Sequence, residues 1–190
     1  MLNLFRISLF FIFIISFVLP SFAQSEEEMK VWQEYMTPGK MHEAMAAGAG
    51  DWTYESTMWM APDTDPVTSN GTMTSEMLLG GRYMKQVHKG EMMGMQFEGI
   101  NIVGFDNAKQ KYVSTWMDNM GTGIMIAEGP YDEATKTINL SGTYFDPMTK
   151  TDMKFREVLK LISDKEQHLE MYMLNEGKEF KNMHIVFTKK

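Results

Sequence analysis

From Asp51 to the end of the chain, apolar and polar residues alternate in short runs, and this pattern constrains the fold more than any other feature of the sequence. A period of two is typical of strands that bury one face. Each turn between the runs is short enough to join two neighbouring strands as a hairpin, so the pattern predicts an antiparallel meander. Residues that favour turns lie at 80–81, 89–91, 106–109, 132–135, 146–149, 163–166 and 175–178.

The meander contains ten predicted strands, and no long connection interrupts it. A sandwich usually needs at least one long Greek-key connection, whereas closing an up-and-down sheet leaves no exposed edge strand. The sequence therefore predicts an all-β fold, a closed up-and-down antiparallel β-barrel of eight to ten strands over 51–190. The strands are expected near residues 51–60, 70–79, 82–89, 95–104, 111–119, 123–129, 136–145, 151–161, 167–174 and 180–188.

Two short helices are expected before the barrel, in the segment 24–50. Ser25 and Glu28 have the spacing of a capping box, and apolar residues follow at helical intervals. Pro38 favours the start of a second helix, and Gly50 follows its end.

The first 23 residues have the composition of a secretory signal. Arg6 precedes an apolar run over 7–19, and the triplet Ser21-Phe22-Ala23 fits cleavage before Gln24. The run is too short for a membrane anchor, because 13 helical residues span about 20 Å of a hydrocarbon core about 30 Å thick. The sequence has no Cys, which excludes a lipid-anchored lipoprotein and disulfides. We expect a bacterial periplasmic or secreted protein without membrane insertion after signal cleavage.

The net charge of the chain and its lack of catalytic motifs disfavour two classes of function, nucleic-acid binding and catalysis. The chain has 18 Lys and Arg against 25 Asp and Glu, a net charge of −7, which disfavours nucleic acid as a partner. His42-Glu43 begins like a zinc protease motif, but the second His is missing. Ser141 lacks the flanking glycines of a nucleophile elbow. Since no catalytic motif is found, we do not expect an enzyme.

Several motifs resemble known barrels. Gly50-Asp51-Trp52 at the start of the first strand resembles the Gly-x-Trp motif of lipocalin and calycin barrels. The chain from His42 onward resembles a bacterial secreted family named domain of unknown function 1579, of the same calycin-like class. That resemblance implies a fold and a compartment but no catalytic residues. Calycin barrels often place a last-strand Arg over this Trp, and the chain departs from that pattern because its last strand ends Thr188-Lys189-Lys190. A Lys could substitute as the cation over Trp52, a structural residue, but less well. The resemblance rests in order on Gly50-Asp51-Trp52, Gly80-Gly81-Arg82-Tyr83, Phe97-Glu98-Gly99, Gly104-Phe105-Asp106, the run 111–118, Gly129-Pro130-Tyr131-Asp132 and Asp146-Pro147.

Polar residues within the strand patterns are candidates for a binding site inside the barrel. Tyr112, Trp116 and Asp118 share one strand face with Ser114, and we expect this face to point inward. A register shifted by one residue would turn Val113, Thr115 and Met117 inward instead. An Arg-Glu pair inside the barrel would orient a carboxylate or hydroxyl head group, although the same charges also fit a solvated outer face. The candidate ligand-binding residues are Arg82, Glu98, Tyr112, Trp116, Asp118 and Arg156, with Glu157 beside them.

Methionine is unusually frequent, with 21 residues. We favour the interpretation that Met fills core positions as a flexible apolar side chain. Thioethers also bind Cu(I), and Met93 and Met95 have the i, i+2 spacing of one strand face. An inward His184 on the last strand would suit haem, whereas His88 and His168 have charged neighbours and are expected to be solvated. No cofactor is therefore favoured, and copper and haem remain alternatives.

Together these patterns predict a barrel that reversibly binds a small apolar or amphipathic molecule in its interior. The alternatives are a Cu(I) or haem carrier and a structural barrel whose interior is filled by side chains. Eight strands leave little room for a ligand and ten leave more, so the strand count distinguishes these alternatives. The oligomeric state stays open.

Overall fold

The computed structural model describes residues 25–175 and 177–190, so the predicted signal at 1–23 lies outside the described residues. Two short helices precede eleven strands. The helices are α1 (Glu26–Met36) and α2 (Lys40–Ala47). The strands are β1 (Gly50–Met58), β2 (Val67–Leu78), β3 (Tyr83–Met92), β4 (Met95–Asp106), β5 (Lys111–Asp118), β6 (Met125–Gly129), β7 (Tyr131–Asp132), β8 (Thr137–Asp146), β9 (Thr151–Ser163), β10 (Glu166–Asn175) and β11 (Lys178–Lys189).

The strands form one closed antiparallel sheet. The order is β6-β5-β4-β3-β2-β1-β11-β10-β9-β8-β7, and a further pairing of β6 with β8 closes the ring. Only Pro130 separates β6 from β7, and both pair with β8, so the two occupy one of ten positions in the barrel. The predicted closed up-and-down antiparallel barrel is confirmed, at the upper end of the expected strand number.

Aspartates shape three of the hairpins. In each turn, the Asp carboxylate accepts a hydrogen bond from the backbone N–H two residues later, which satisfies a donor that the strand ladder cannot. Four residues after the Asp, a non-glycine residue takes a positive φ and returns the chain to the sheet. The carboxylates accept from Ala108, Ala134 and Met148 at 2.8–2.9 Å, and the positive-φ residues are Gln110, Lys136 and Lys150.

Helix α2 covers one end of the barrel. Met45 is 8% exposed and packs into the main core cluster, and His42 is also buried. The Nδ1 atom of His42 accepts a hydrogen bond from the backbone N–H of Gly39 at 3.0 Å, which caps the start of the helix. The chain therefore enters β1 from a helix fixed to the barrel end.

Trp52 lies at the junction of this covered end with β1 and is only 1% exposed. Its Nε1–H donates to the carbonyl of Gly48 at 3.0 Å. The Lys189 ammonium lies 5.5 Å from the indole centroid and donates to the carbonyl of Ala47 at 2.9 Å. A Lys of the last strand thus lies beside Trp52, which packs in the covered end of the barrel.

Helix α1 buries no residue against the barrel. Its C-terminal end is held by Asn107, whose Nδ2 donates to the carbonyls of Glu34, Tyr35 and Thr37 at 2.9–3.2 Å. Across 25–175 and 177–190, neither helix combines the length and hydropathy that a membrane-spanning helix needs.

Candidate functional site in the barrel lumen

A cavity of about 380 Å³ occupies the interior of the barrel. We call it the lumen; inner faces of the strands and part of α2 line it. Its volume falls within the range typical of small-molecule sites. Glu91 and Met120 are exposed and line the cavity at the end opposite α2, so the lumen reaches the surface there. We call that end the mouth.

Methionines make up much of the lumen wall. Their thioether side chains are flexible and polarisable, so they adapt to ligands of different shape. This placement agrees with the interpretation of Met as an apolar core residue, although the core it forms contains a cavity. The nine lumen methionines are Met45, Met58, Met73, Met84, Met92, Met120, Met125, Met171 and Met183.

The inward face of β5 is the one that strand alternation predicts. Tyr112, Ser114, Trp116 and Asp118 all line the lumen. The Trp116 Nε1–H donates to Oδ2 of Asp118 at 2.7 Å, and Oδ1 of Asp118 accepts from the backbone N–H of Met120 at 2.9 Å. Because both carboxylate oxygens have donors, Asp118 is a satisfied group near the mouth.

Aromatic rings surround Trp116. Its indole lies edge-on to His88, with ring centroids 5.1 Å apart, and stacks with Phe97 at 6.2 Å. Gly99 on the neighbouring strand makes room for this ring, because a Cβ at that position would come within 2.5 Å of the indole. The indole is therefore fixed as part of the lumen wall.

A row of hydrogen-bonded polar side chains crosses β3, β4 and β5. The Ser114 hydroxyl donates to Oδ1 of Asn101 at 2.8 Å, and Nδ2 of Asn101 donates to Oε1 of Gln86 at 3.1 Å. All three residues line the lumen. This wall therefore offers fixed polar groups within a mainly apolar cavity.

His88 lies on the same wall and is 7% exposed. Its ring lies 5.1–6.0 Å from those of Tyr54, Trp116 and Phe187. Burial disfavours the imidazolium form and lowers the pKa of His88 to about 4. Its Nε2 has no hydrogen-bond partner among the described residues. The expectation that His88 is solvated is wrong. Successive side chains of a strand point to opposite faces, so His88 faces inward although its neighbour Lys89 is charged.

Glu157 points into the lumen from β9. Its neighbours in the adjoining strands are Leu140 on β8 and Met171 on β10, both buried apolar residues. No hydrogen bond or ion pair joins its carboxyl to another described residue. Desolvation by these surroundings raises the pKa of Glu157 to about 7.

Three predicted site residues lie outside the lumen. Arg156 forms a two-pronged ion pair with Glu179, at 2.9 and 2.8 Å, and its guanidinium lies 4.1 Å from the Tyr172 ring centroid. Glu98 pairs with Lys89 at 3.5 Å. Each directly adjoins an inward residue, so alternation turns Arg156 and Glu98 to the outer face.

Arg82 precedes β3 and belongs to a different part of the surface. Its guanidinium donates to the carbonyls of Met36 at 2.7 Å and Leu79 at 3.1 Å. It lines an external groove of about 460 Å³ between the helix connection and the outer face of β3–β5. The predicted Arg-Glu pair inside the barrel is therefore wrong for the described residues: those that line the lumen include Glu157 but no Arg.

The residues considered for copper and haem also lie outside the lumen lining. Met93 and Met95 are 55% and 49% exposed. Met93 has a positive φ of 53° in the turn after β3, so the two do not share a strand face. His184 faces outward, its ring 5.3 Å from that of His168. Over 25–175 and 177–190, no group of three His, Cys, Asp or Glu side chains is placed to hold a metal ion.

Comparisons with known proteins agree with this architecture. The crystal structure of Rv2717c from M. tuberculosis is similar with a TM-score of 0.58 and 12% sequence identity, over 81% of this chain and 99% of that one. At that identity the likeness concerns the fold alone. None of the curated proteins matches this sequence. The model of a family described as protein of unknown function (DUF1579) matches residues 37–189, and the chain belongs to this family.

Proposed function

We propose that this protein reversibly binds a small apolar or amphipathic molecule in the lumen. The observation that carries the proposal is a cavity of about 380 Å³ that is lined mainly by apolar side chains and contains the unpaired Nε2 of His88. A buried polar atom without a partner costs about 1 to 3 kcal/mol, which a hydrogen bond from a bound molecule recovers. A filled structural barrel gives no such gain.

Binding in this site is driven by removal of apolar surface from water. Each Å² of apolar area transferred contributes about 25 cal/mol before ordering costs. The aromatic rings of Phe97, Trp116 and Phe187 supply rigid area, and the lumen methionines adjust to the ligand. The polar row Gln86-Asn101-Ser114 orients it.

We propose non-covalent binding rather than catalysis, in a periplasmic or secreted protein. The acidic balance of the chain supports a small-molecule partner rather than nucleic acid. The sequence pattern over 1–23 supports export, and the exported protein is expected to begin at Gln24. Intact-mass measurement of the exported chain checks this, and retention of residues 1–23 would contradict it.

A matched pair of variants on β9 tests binding in the lumen. Leu159 lines the cavity, whereas Ile162 on the same strand is 53% exposed. N-phenyl-1-naphthylamine, a neutral apolar fluorophore, should bind the wild type at one molecule per chain. Leu159→Trp should weaken this at least tenfold by filling the cavity, and Ile162→Trp should leave it unchanged. Binding that both variants preserve would place the fluorophore elsewhere and overturn the proposal.

A Cu(I) carrier is the second candidate, because nine methionines line the lumen and thioethers are soft ligands. Met58, Met92, Met120 and Met125 lie towards the mouth, and Met183 is the partner of Met58 on the neighbouring strand. The test is retention of one Cu(I) per chain against a competing chelator, with a raised melting temperature. Met92→Leu should abolish this retention if the lumen binds copper. Met148→Leu, at a 90% exposed position, is the control and should preserve it.

A further inference from the structure

Among the described residues, the charged side chains that line the lumen all have one sign. Three of these lining residues are carboxylic, and none is Lys or Arg. Glu91 is exposed at the mouth, Asp118 is held by Trp116, and Glu157 lies deeper. His88 adds no positive charge at neutral pH, because burial lowers its pKa to about 4. Within 25–175 and 177–190, the lumen therefore offers a ligand carboxyl groups and no side-chain cation.

Glu157 is the lumen carboxyl that lies inside the barrel, away from the exposed mouth where Glu91 lies, and no described residue pairs with it. Asp118 has two donors, whereas Glu157 has none among the described residues and lies between Leu140 and Met171. Replacing this carboxyl with an apolar residue would suit the surroundings better, since an unpaired buried charge is costly. Its position inside the cavity makes the carboxyl available to a bound molecule.

The position of Glu157 in the ring of strands determines which lumen wall it faces. Strand β9 lies five positions from β3 in either direction around the barrel, so Glu157 faces the wall that carries Gln86 and His88. It lies near the middle of β9, which runs from the mouth to the covered end. A ligand group that reaches Glu157 is inside the barrel, surrounded by apolar side chains.

We propose that the lumen selects an amphipathic amine, whose apolar body fills the cavity and whose protonated nitrogen donates to the Glu157 carboxylate. This inference rests on the proposed function and names its ligand class. An ammonium and a carboxylate form a charge-assisted hydrogen bond that is about twice as strong as a neutral one. An anionic amphiphile such as a fatty acid meets like charges instead.

The acid-base behaviour of the site supports the same ligand class. Glu157 with a pKa of about 7 is partly protonated in the free protein, so affinity for an amine should rise between pH 6 and pH 8. The other titratable residues facing the lumen are Tyr54, His88, Glu91, Tyr112 and Asp118. The pKa values of Tyr54 and Tyr112 are raised and that of His88 is lowered, so none of these three changes charge in this interval.

Three ligands with one apolar tail test the inference: decylamine, decanol and decanoate, each competing with N-phenyl-1-naphthylamine. At pH 8, decylamine should bind the wild type about tenfold more tightly than decanol, and decanoate should bind least. Glu157→Gln should remove the advantage of the amine while preserving decanol binding. Glu98→Gln, which removes an outward carboxylate paired with Lys89, is the matched control and should behave as the wild type.

The outcomes separate this inference from the proposed function. Equal binding of decylamine and decanol, or an amine preference that survives in both Glu157→Gln and Glu157→Leu, overturns the amine inference and leaves lumen binding intact. Decanol binding by each variant also shows that its barrel has folded. Failure of all three compounds to displace the fluorophore, or failure of the fluorophore to bind, overturns both proposals.

Discussion

Trp116 and Asp118 hold each other on the lumen wall. The indole N–H donates to the carboxylate at 2.7 Å, and Gly99 leaves the space that the ring occupies. A carboxylate on an inner barrel face needs such a donor, because an unpaired one costs several kcal/mol. At the scale of single residues, the inner wall thus combines a satisfied carboxylate, Asp118, with a carboxyl, Glu157, that no described residue pairs with.

Truncation of Trp116 measures how far this residue supports the barrel. We expect Trp116→Ala to lower the free energy of unfolding by about 3 kcal/mol, because it removes ring contacts and leaves Asp118 short of a donor. Urea denaturation checks this. Trp32→Ala is the control: Trp32 is 51% exposed on α1, so its loss should cost less than about 0.5 kcal/mol. Equal effects of the two variants would contradict the assignment of Trp116 to the wall.

Glu157 is expected to reduce stability at alkaline pH. Its pKa is raised from 4.5 to about 7 in the folded protein, so the protonated form is favoured and stability falls as pH rises through this interval. At pH 8, the free energy of unfolding of Glu157→Gln should therefore be about 2 kcal/mol higher than that of the wild type, so the variant is more stable. The difference should shrink towards zero at pH 4.5. Urea denaturation at both pH values checks this, and a pH-independent difference would show that the carboxyl is solvated.

At the scale of elements, the covered end is held by contacts between α2, β1 and β11. Trp52 donates to the last turn of the helix region at Gly48, and Lys189 joins the indole face to the carbonyl of Ala47. These contacts connect the first and last strands of the barrel, which pair along their length. The start of β1 and the end of β11 lie side by side at this end of the barrel, and both contact the end of α2.

Substitution of Lys189 tests this closure. Lys189→Ala should cost about 1 to 2 kcal/mol, because it removes a charged hydrogen bond and a cation contact with Trp52. Lys189→Arg should preserve stability, since a guanidinium also stacks on an indole and donates to a carbonyl. Thermal unfolding of both variants, with the terminal Lys190→Ala as control, checks the prediction. A wild-type melting temperature for Lys189→Ala would rule out this role.

The sequence predicts the strands well because alternation and turn chemistry are local. The face of β5 is also correctly predicted, since Tyr112 to Asp118 alternate without interruption. The sequence does not predict which side of the sheet a charged residue faces when two such residues are adjacent. Arg156 and Glu157 are neighbours, and only the register of β9 with β8 and β10 shows that Glu157 is the one inside. Met93 fails because its turn interrupts the alternation. The inward orientation of His88 could have been predicted, because it follows Met84 and Gln86 at intervals of two residues on the same strand face.

At the scale of the whole molecule, ten strand positions enclose a cavity that the side chains do not fill. α2 covers one end and the mouth opens at the other. The cavity reaches the surface at the mouth, and its described lining consists of apolar groups, one polar row and the carboxyl groups of Glu91, Asp118 and Glu157. The proposed binding site is therefore inside the barrel and not on its surface.

The most direct measurement is an NMR titration of the tryptophan indole N–H signals with decanol. Trp116 lines the lumen, whereas Trp32 lies on α1, which buries no residue. If ligands bind in the lumen, the Trp116 signal should show a saturable shift at one ligand per chain, and the Trp32 signal should stay unchanged. Saturable binding that leaves Trp116 unmoved, or that shifts Trp32 instead, would contradict binding in the lumen.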